Sequence, residues 1–122
     1  MERTESTYDD NNTEPKVIEL DRLSKGDRVS VQTQRSRYQF SVLDASTQRG
    51  TLTGGALGNQ ILEVFLCGTI SEDRTDSDSS ELKTGSRAIF FIDLKHEAQR
   101  LITSPITDIA IVRGDLALES AA

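Results

Sequence analysis

Two arginines flank a serine at Arg35-Ser36-Arg37, and Arg49 follows on the next polar stretch. Guanidinium forks beside a hydroxyl suit one chemistry, the capture of a carboxylate or phosphate. Local charge agrees: residues 28–50 carry a net +3 in a chain whose formal net charge is −6. The plainer reading is that these charges blunt a hairpin tip and keep the protein soluble. Other chemistry is sparse. His96 sits in the charged turn Lys95-His96-Glu97 and reads as a solvated residue rather than a base. Cys67 lies inside an apolar run, where a thiol behaves as a small hydrophobe. One histidine and one cysteine do not assemble a zinc site of ordinary ligands. Asp76-Ser77-Asp78-Ser79-Ser80 opens like a calcium loop, but Glu81 stands where glycine belongs and Arg87 where glutamate belongs. Gly54-Gly55-Ala56-Leu57-Gly58 has no helix or Lys-Ser/Thr after it, so it reads as a turn or barrel corner rather than a phosphate cradle. With no nucleophile paired to a base, the expectation is a protein without catalytic residues, metal or cofactor.

The elements that position these residues read as strands. Val29, Val31 and Thr33 alternate with polar residues, and so do Tyr38, Phe40 and Val42. Period two on both sides of a short break marks a hairpin with one apolar face. A loop centred on Arg35-Ser36 pairs Thr33 with Tyr38, Val31 with Phe40 and Val29 with Val42. Arg49 to Thr53 is a third strand. Ile61 to Ile70 is a fourth, apolar on both faces and therefore expected to be central or covered on both sides. Ser71 to Ser80 is an acidic loop, expected to be exposed and mobile. Arg87 to Leu94 is a fifth strand, and Leu101 to Val112 is a final strand pair or one bent strand interrupted by Pro105. Val17 to Leu23 fits either a short strand or a helical turn. The expected core is Val29, Val31, Phe40, Val42, Leu52, Leu62, Val64, Leu66, Ile70, Phe90, Ile92, Ile102, Ile109 and Ile111.

No stretch carries a sustained helical apolar pattern. The fold expected is all-β, a small antiparallel β-barrel or barrel-like sandwich of about six strands. Residues 1–15 form an acidic tail too polar to order itself, residues 16–113 the barrel-like domain, and residues 114–122 a frayed end. A single cysteine and no signal-like apolar segment point to the cytoplasm. The longest apolar run is far too short to span a bilayer. The acidic total argues against nucleic acid as a partner, which calls for a basic face.

Two resemblances add to this reading. Asp44-Ala45-Ser46-Thr47-Gln48-Arg49-Gly50 resembles the D-x-S-x-x-G signature of PilZ domains, small β-barrels that bind cyclic di-GMP. Here Gly50 comes one place late, and Arg35 and Arg37 stand two apart where the family's upstream arginines stand four apart. Thr33-x-x-Ser36-x-Tyr38, Gly54-Gly55 and Thr103-Ser104-Pro105-Ile106 together resemble a set of short bacterial β-proteins, over about residues 20–112. That second resemblance implies no activity. The function expected is therefore a non-enzymatic binding or protein-interaction module, its partner a protein or a small anionic ligand. The alternative is a PilZ-like sensor of a small anion or cyclic nucleotide. Arg35, Ser36, Arg37 and Arg49 are the candidate binding residues.

Overall fold

A computed structural model describes residues 16–94 and 97–114. The tail expected over residues 1–15, the turn residues Lys95 and His96, and residues 115–122 lie outside the described residues. The described chain is all-β. Its strands are β1 (Val17–Glu19), β2 (Arg28–Thr33), β3 (Arg37–Asp44), β4 (Arg49–Gly54), β5 (Ile61–Ile70), β6 (Ser77–Asp78), β7 (Glu81–Lys83), β8 (Arg87–Leu94) and β9 (Glu97–Val112). Six of them close an antiparallel ring in the order β2-β3-β4-β5-β8-β9, with β9 returning to β2. Closure leaves the ring without two outer strands, the ordinary remedy for exposed sheet edges. The two-residue β6 extends β5, and β1 pairs separately with β7. Residues 17–23 take both forms the sequence allows, a strand and then a 3-10 turn over Leu20–Arg22.

Alternation fills the barrel. Val29, Val31, Phe40, Val42, Leu52, Val64, Leu66, Phe90, Ile92 and Ile109 are buried as their period predicts. Leu62, Ile70, Ile102 and Ile111 are only half-buried. For Ile70 the reason is a bulge between Leu66 and Gly68, where Gly68 takes φ +119° against the backbone of Asp78. The bulge reverses the alternation, so Thr69 enters the core and Ile70 leaves it. A second irregularity, between Arg87 and Ile89 of β8, brings Thr103 of β9 inside rather than Ile102. Leu20, Leu23 and Leu82 join the core from the small β1–β7 sheet and its 3-10 turn. Their polar neighbourhoods hid them in the sequence.

Two expectations need correction. The β2–β3 hairpin pairs Val31 with Tyr38 and Val29 with Phe40, so its loop centres on Gln34-Arg35 and not on Arg35-Ser36. The shift changes partners by two residues, and a shift of two keeps every side chain on its face. The apolar pattern therefore could not exclude it. The fourth strand expected to be central is so: β5 lies between β4 and β8, with its outward face only partly covered, since Ile61 is 68% exposed and half-buried Phe65 stands opposite Phe91 on the outer wall. Gly114, placed with the frayed end, is instead buried and donates its N–H to Asp27. The acidic stretch 71–80 is exposed and folded into turns, with Asp73 accepting from Ser71 and Thr75 and Asp78 accepting from Ser80.

Candidate functional site

The hairpin loop at the end of β2 is built around one hydroxyl. Thr33 is 2% exposed; its Oγ1 donates to the Ser36 carbonyl and accepts from the N–H groups of Ser36 (3.0 Å) and Arg35 (3.4 Å). Neither Gln34 nor Arg35 favours the positive φ of a tight hairpin turn, so a side chain replaces part of the missing backbone ladder. The loop then leans on β9: Gln34 N–H donates to the Pro105 carbonyl at 3.0 Å, and Arg35 N–H to Ser104 Oγ at 3.2 Å. Thr103 works similarly on the facing strand, accepting from Ala88 N–H and donating to the Ser104 carbonyl. Across the mouth, Tyr38 Oη accepts the Ala56 N–H at 3.2 Å, and the Tyr38 ring lies where a Cβ on Gly55 would stand. Only glycine fits at position 55 beneath that ring.

These contacts frame a cleft of about 450 Å³ at one end of the barrel. Its lining combines Arg35, Ser36, Tyr38, Arg87 and Ser104 with an apolar wall that includes Leu101, Ile102 and Pro105, and no carboxylate side chain. Arg87 opens β8; its Nε donates to the Glu72 carbonyl and its Nη1 to the Thr103 carbonyl, both at 3.2 Å. Among the described residues the Ser104 and Tyr38 hydroxyl oxygens accept from Arg35 N–H and Ala56 N–H, which leaves their hydrogens, with the Arg35 guanidinium on the lining, to serve a guest. Such a cleft binds an oxyanion through charge-assisted donors with an apolar body resting on the wall.

The candidate residues separate. Arg35 and Ser36 line the cleft. Arg37 begins β3 and donates to Gln32 Oε1 at 2.9 Å on the exposed face of the hairpin. Arg49 lies by the far end of β3, opposite Asp44, and pairs with Glu63 at 3.3 Å. Eight residues of strand separate the two ends of β3, roughly 25 Å. Within the Asp44–Gly50 turn the hydroxyl and N–H of Ser46 donate to Asp44 and hold its carboxyl below the usual carboxylate range, while the Gln48 carbonyl accepts the Leu66 N–H from β5. Arg87, Tyr38 and Ser104 were not among the candidates. The Thr-x-x-Ser-x-Tyr, Gly-Gly and Thr-Ser-Pro-Ile segments carried the signal for two of them, since all three segments meet at this cleft; Arg87 has no local mark. Burial raises the pKa of the Cys67 thiol, with Arg100 pulling the other way. Among the described residues no group of three or more His, Cys, Asp or Glu is gathered to hold a metal, and no helix is long and apolar enough to cross a membrane. Comparison with protein families, with curated proteins and with solved structures found nothing that matches this chain.

Proposed function

We propose that the protein is a non-enzymatic binding module that takes an anionic group of its partner into the cleft between the β2–β3 loop and β9. The observation that carries this reading is the lining: two guanidiniums and several hydroxyls with no carboxylate side chain, in a chain of net charge −6. A cleft with that sign on an acidic protein selects an anion locally while the rest of the surface repels it. Among the described residues no histidine, cysteine or carboxylate lines the cleft to act as a base, so its hydroxyls serve as donors rather than nucleophiles. One half-buried free cysteine fits a reducing compartment, and we place the protein in the cytoplasm.

The test is a titration with inorganic phosphate, citrate and a cyclic dinucleotide, followed by backbone amide shifts. Shifts at residues 33–38 and 101–105 support the cleft. Shifts confined to residues 44–50 would move the site to the PilZ-like turn and overturn this reading. Arg35→Ser should weaken binding about tenfold, the loss of one charge-assisted contact. Arg49→Ser should leave it unchanged, because Arg49 belongs to an exposed pair at the other end of the barrel.

A further inference from the structure

The sixteen-residue β9 changes neighbours along its length. Its first half, residues 97–105, pairs with β8, and its second half, residues 106–112, pairs with β2. On the side turned away from β8, no strand among the described residues lies beside the first half, because β2 stops at Thr33 opposite Ile106. The loop bonds to Pro105 and Ser104 are the last ties on that side among the described residues. Beyond them residues 97–103 present, among the described residues, an unpaired strand edge of roughly 20 Å, with Glu97, Ala98, Gln99 and Arg100 exposed. Every second residue on such an edge turns its N–H and C=O outward. The ring is thus closed in connectivity yet leaves this half-edge without a strand among the described residues, and it runs into the cleft through Leu101, Ile102, Thr103 and Ser104.

We propose that the occupant of the cleft is an extended segment of a partner protein, which adds as a strand along residues 97–103 of β9 and places an acidic side chain between Arg35 and Arg87. The proposal rests on the anion-binding reading of the cleft and names the partner class for it. Strand addition explains why the cleft lies against a strand edge: main-chain hydrogen bonds supply affinity, and the pocket beside them supplies selection. Charge complementarity selects an acidic side chain at the cleft, which Arg35 and Arg87 line without a carboxylate, while Glu97 and Arg100 balance each other along the edge itself. The loop is already fixed by Thr33 and Ser104, so the site needs little ordering when the strand arrives.

The experiment uses the full chain and three probes: the peptide acetyl-Val-Thr-Glu-Val-Thr-Val-amide, its glutamine analogue, and a version N-methylated at every internal amide. Binding is read by amide shifts and by hydrogen exchange, at peptide concentrations up to about 1 mM. The parent peptide should slow exchange of amides within residues 97–103; the glutamine analogue should bind about tenfold more weakly. The methylated peptide, stripped of its donors, should not bind. Equal binding by parent and methylated peptides, with phosphate or citrate still shifting residues 33–38, overturns strand addition and leaves the anion site standing. Binding of phosphate or citrate with no peptide binding overturns it equally. Failure of both peptide and small anions removes the cleft as a site altogether.

Discussion

A carboxylate with 1% of its surface exposed has to be met by donors, and Asp27 meets three. Ser24 N–H, Gly114 N–H and Arg113 Nη1 donate to it at 2.8, 2.8 and 2.9 Å, and the Arg113 guanidinium also donates to the Arg22 carbonyl. Burial pushes the Asp27 pKa up, but the N–H groups of Gly114 and Ser24 and the Arg113 guanidinium outweigh it, and the net position is below the ordinary value. The clasp joins the turn before β2 to the residue that ends the described barrel. Asp27→Ala strands a buried N–H and a guanidinium, and should cost about 2–3 kcal/mol in denaturant unfolding. The sign of the pH effect follows from the lowered pKa. The ionic contribution is fully present above the unfolded value of about 3.9 and is lost as pH falls through the folded value. The stability gap between the wild type and Asp27→Asn should therefore be constant near neutrality and narrow below about pH 4. A gap that stays constant down to pH 3 would mean that the carboxylate's charge contributes nothing to the clasp.

At the scale of the element, the β2–β3 hairpin shows how far a sequence can be read. Alternation marks which residues point inward, so Val29, Val31 and Phe40 are identifiable from their period alone. Partners are not, because apolar periodicity constrains register only in steps of two. The missing information lay in Thr33, whose hydroxyl closes the loop from the side and moves its centre back by one residue. Phe40 is fully buried, with its ring 5.9 Å from that of Phe90, while Gln39 faces solvent. Phe40→Ala should destabilise by roughly 3–5 kcal/mol and Gln39→Ala by less than about 0.5 kcal/mol, measured by denaturant unfolding. Similar losses for the two would mean that the hairpin's faces are reversed. Bulges set the other limit of legibility: the single sign in the run Ile61 to Ile70 is Gly68 itself, since a glycine inside a strand pattern marks a bulge without saying which faces it exchanges. The cleft was legible only in fragments. Arg35 and Ser36 stood out by charge and spacing, whereas Arg87 and Ser104 reach them through strand pairing across more than fifty residues.

For the whole molecule the decisive contact is the β2–β9 seam, which pairs Arg28 with Val112 and Thr33 with Ile106. The two strands of the seam, residues 28–33 and 106–112, lie far apart in the chain, so closing it carries a large loop-closure entropy and its contacts are non-local. Refolding should accordingly take milliseconds to seconds, in the range of high-contact-order β domains. Because the ring has no separate half, the seam should also unfold with the rest. Amides of Val29, Val31 and Ile109 should exchange with the same opening free energy as those of Phe40 and Leu52 in β3 and β4, and that value should equal the denaturant-derived stability. Asp27→Ala, which cuts the clasp beside the seam, should lower all five by a common amount. If it lowers only the three seam residues, the barrel opens at β2–β9 as a unit of its own, and single-transition behaviour fails for this fold.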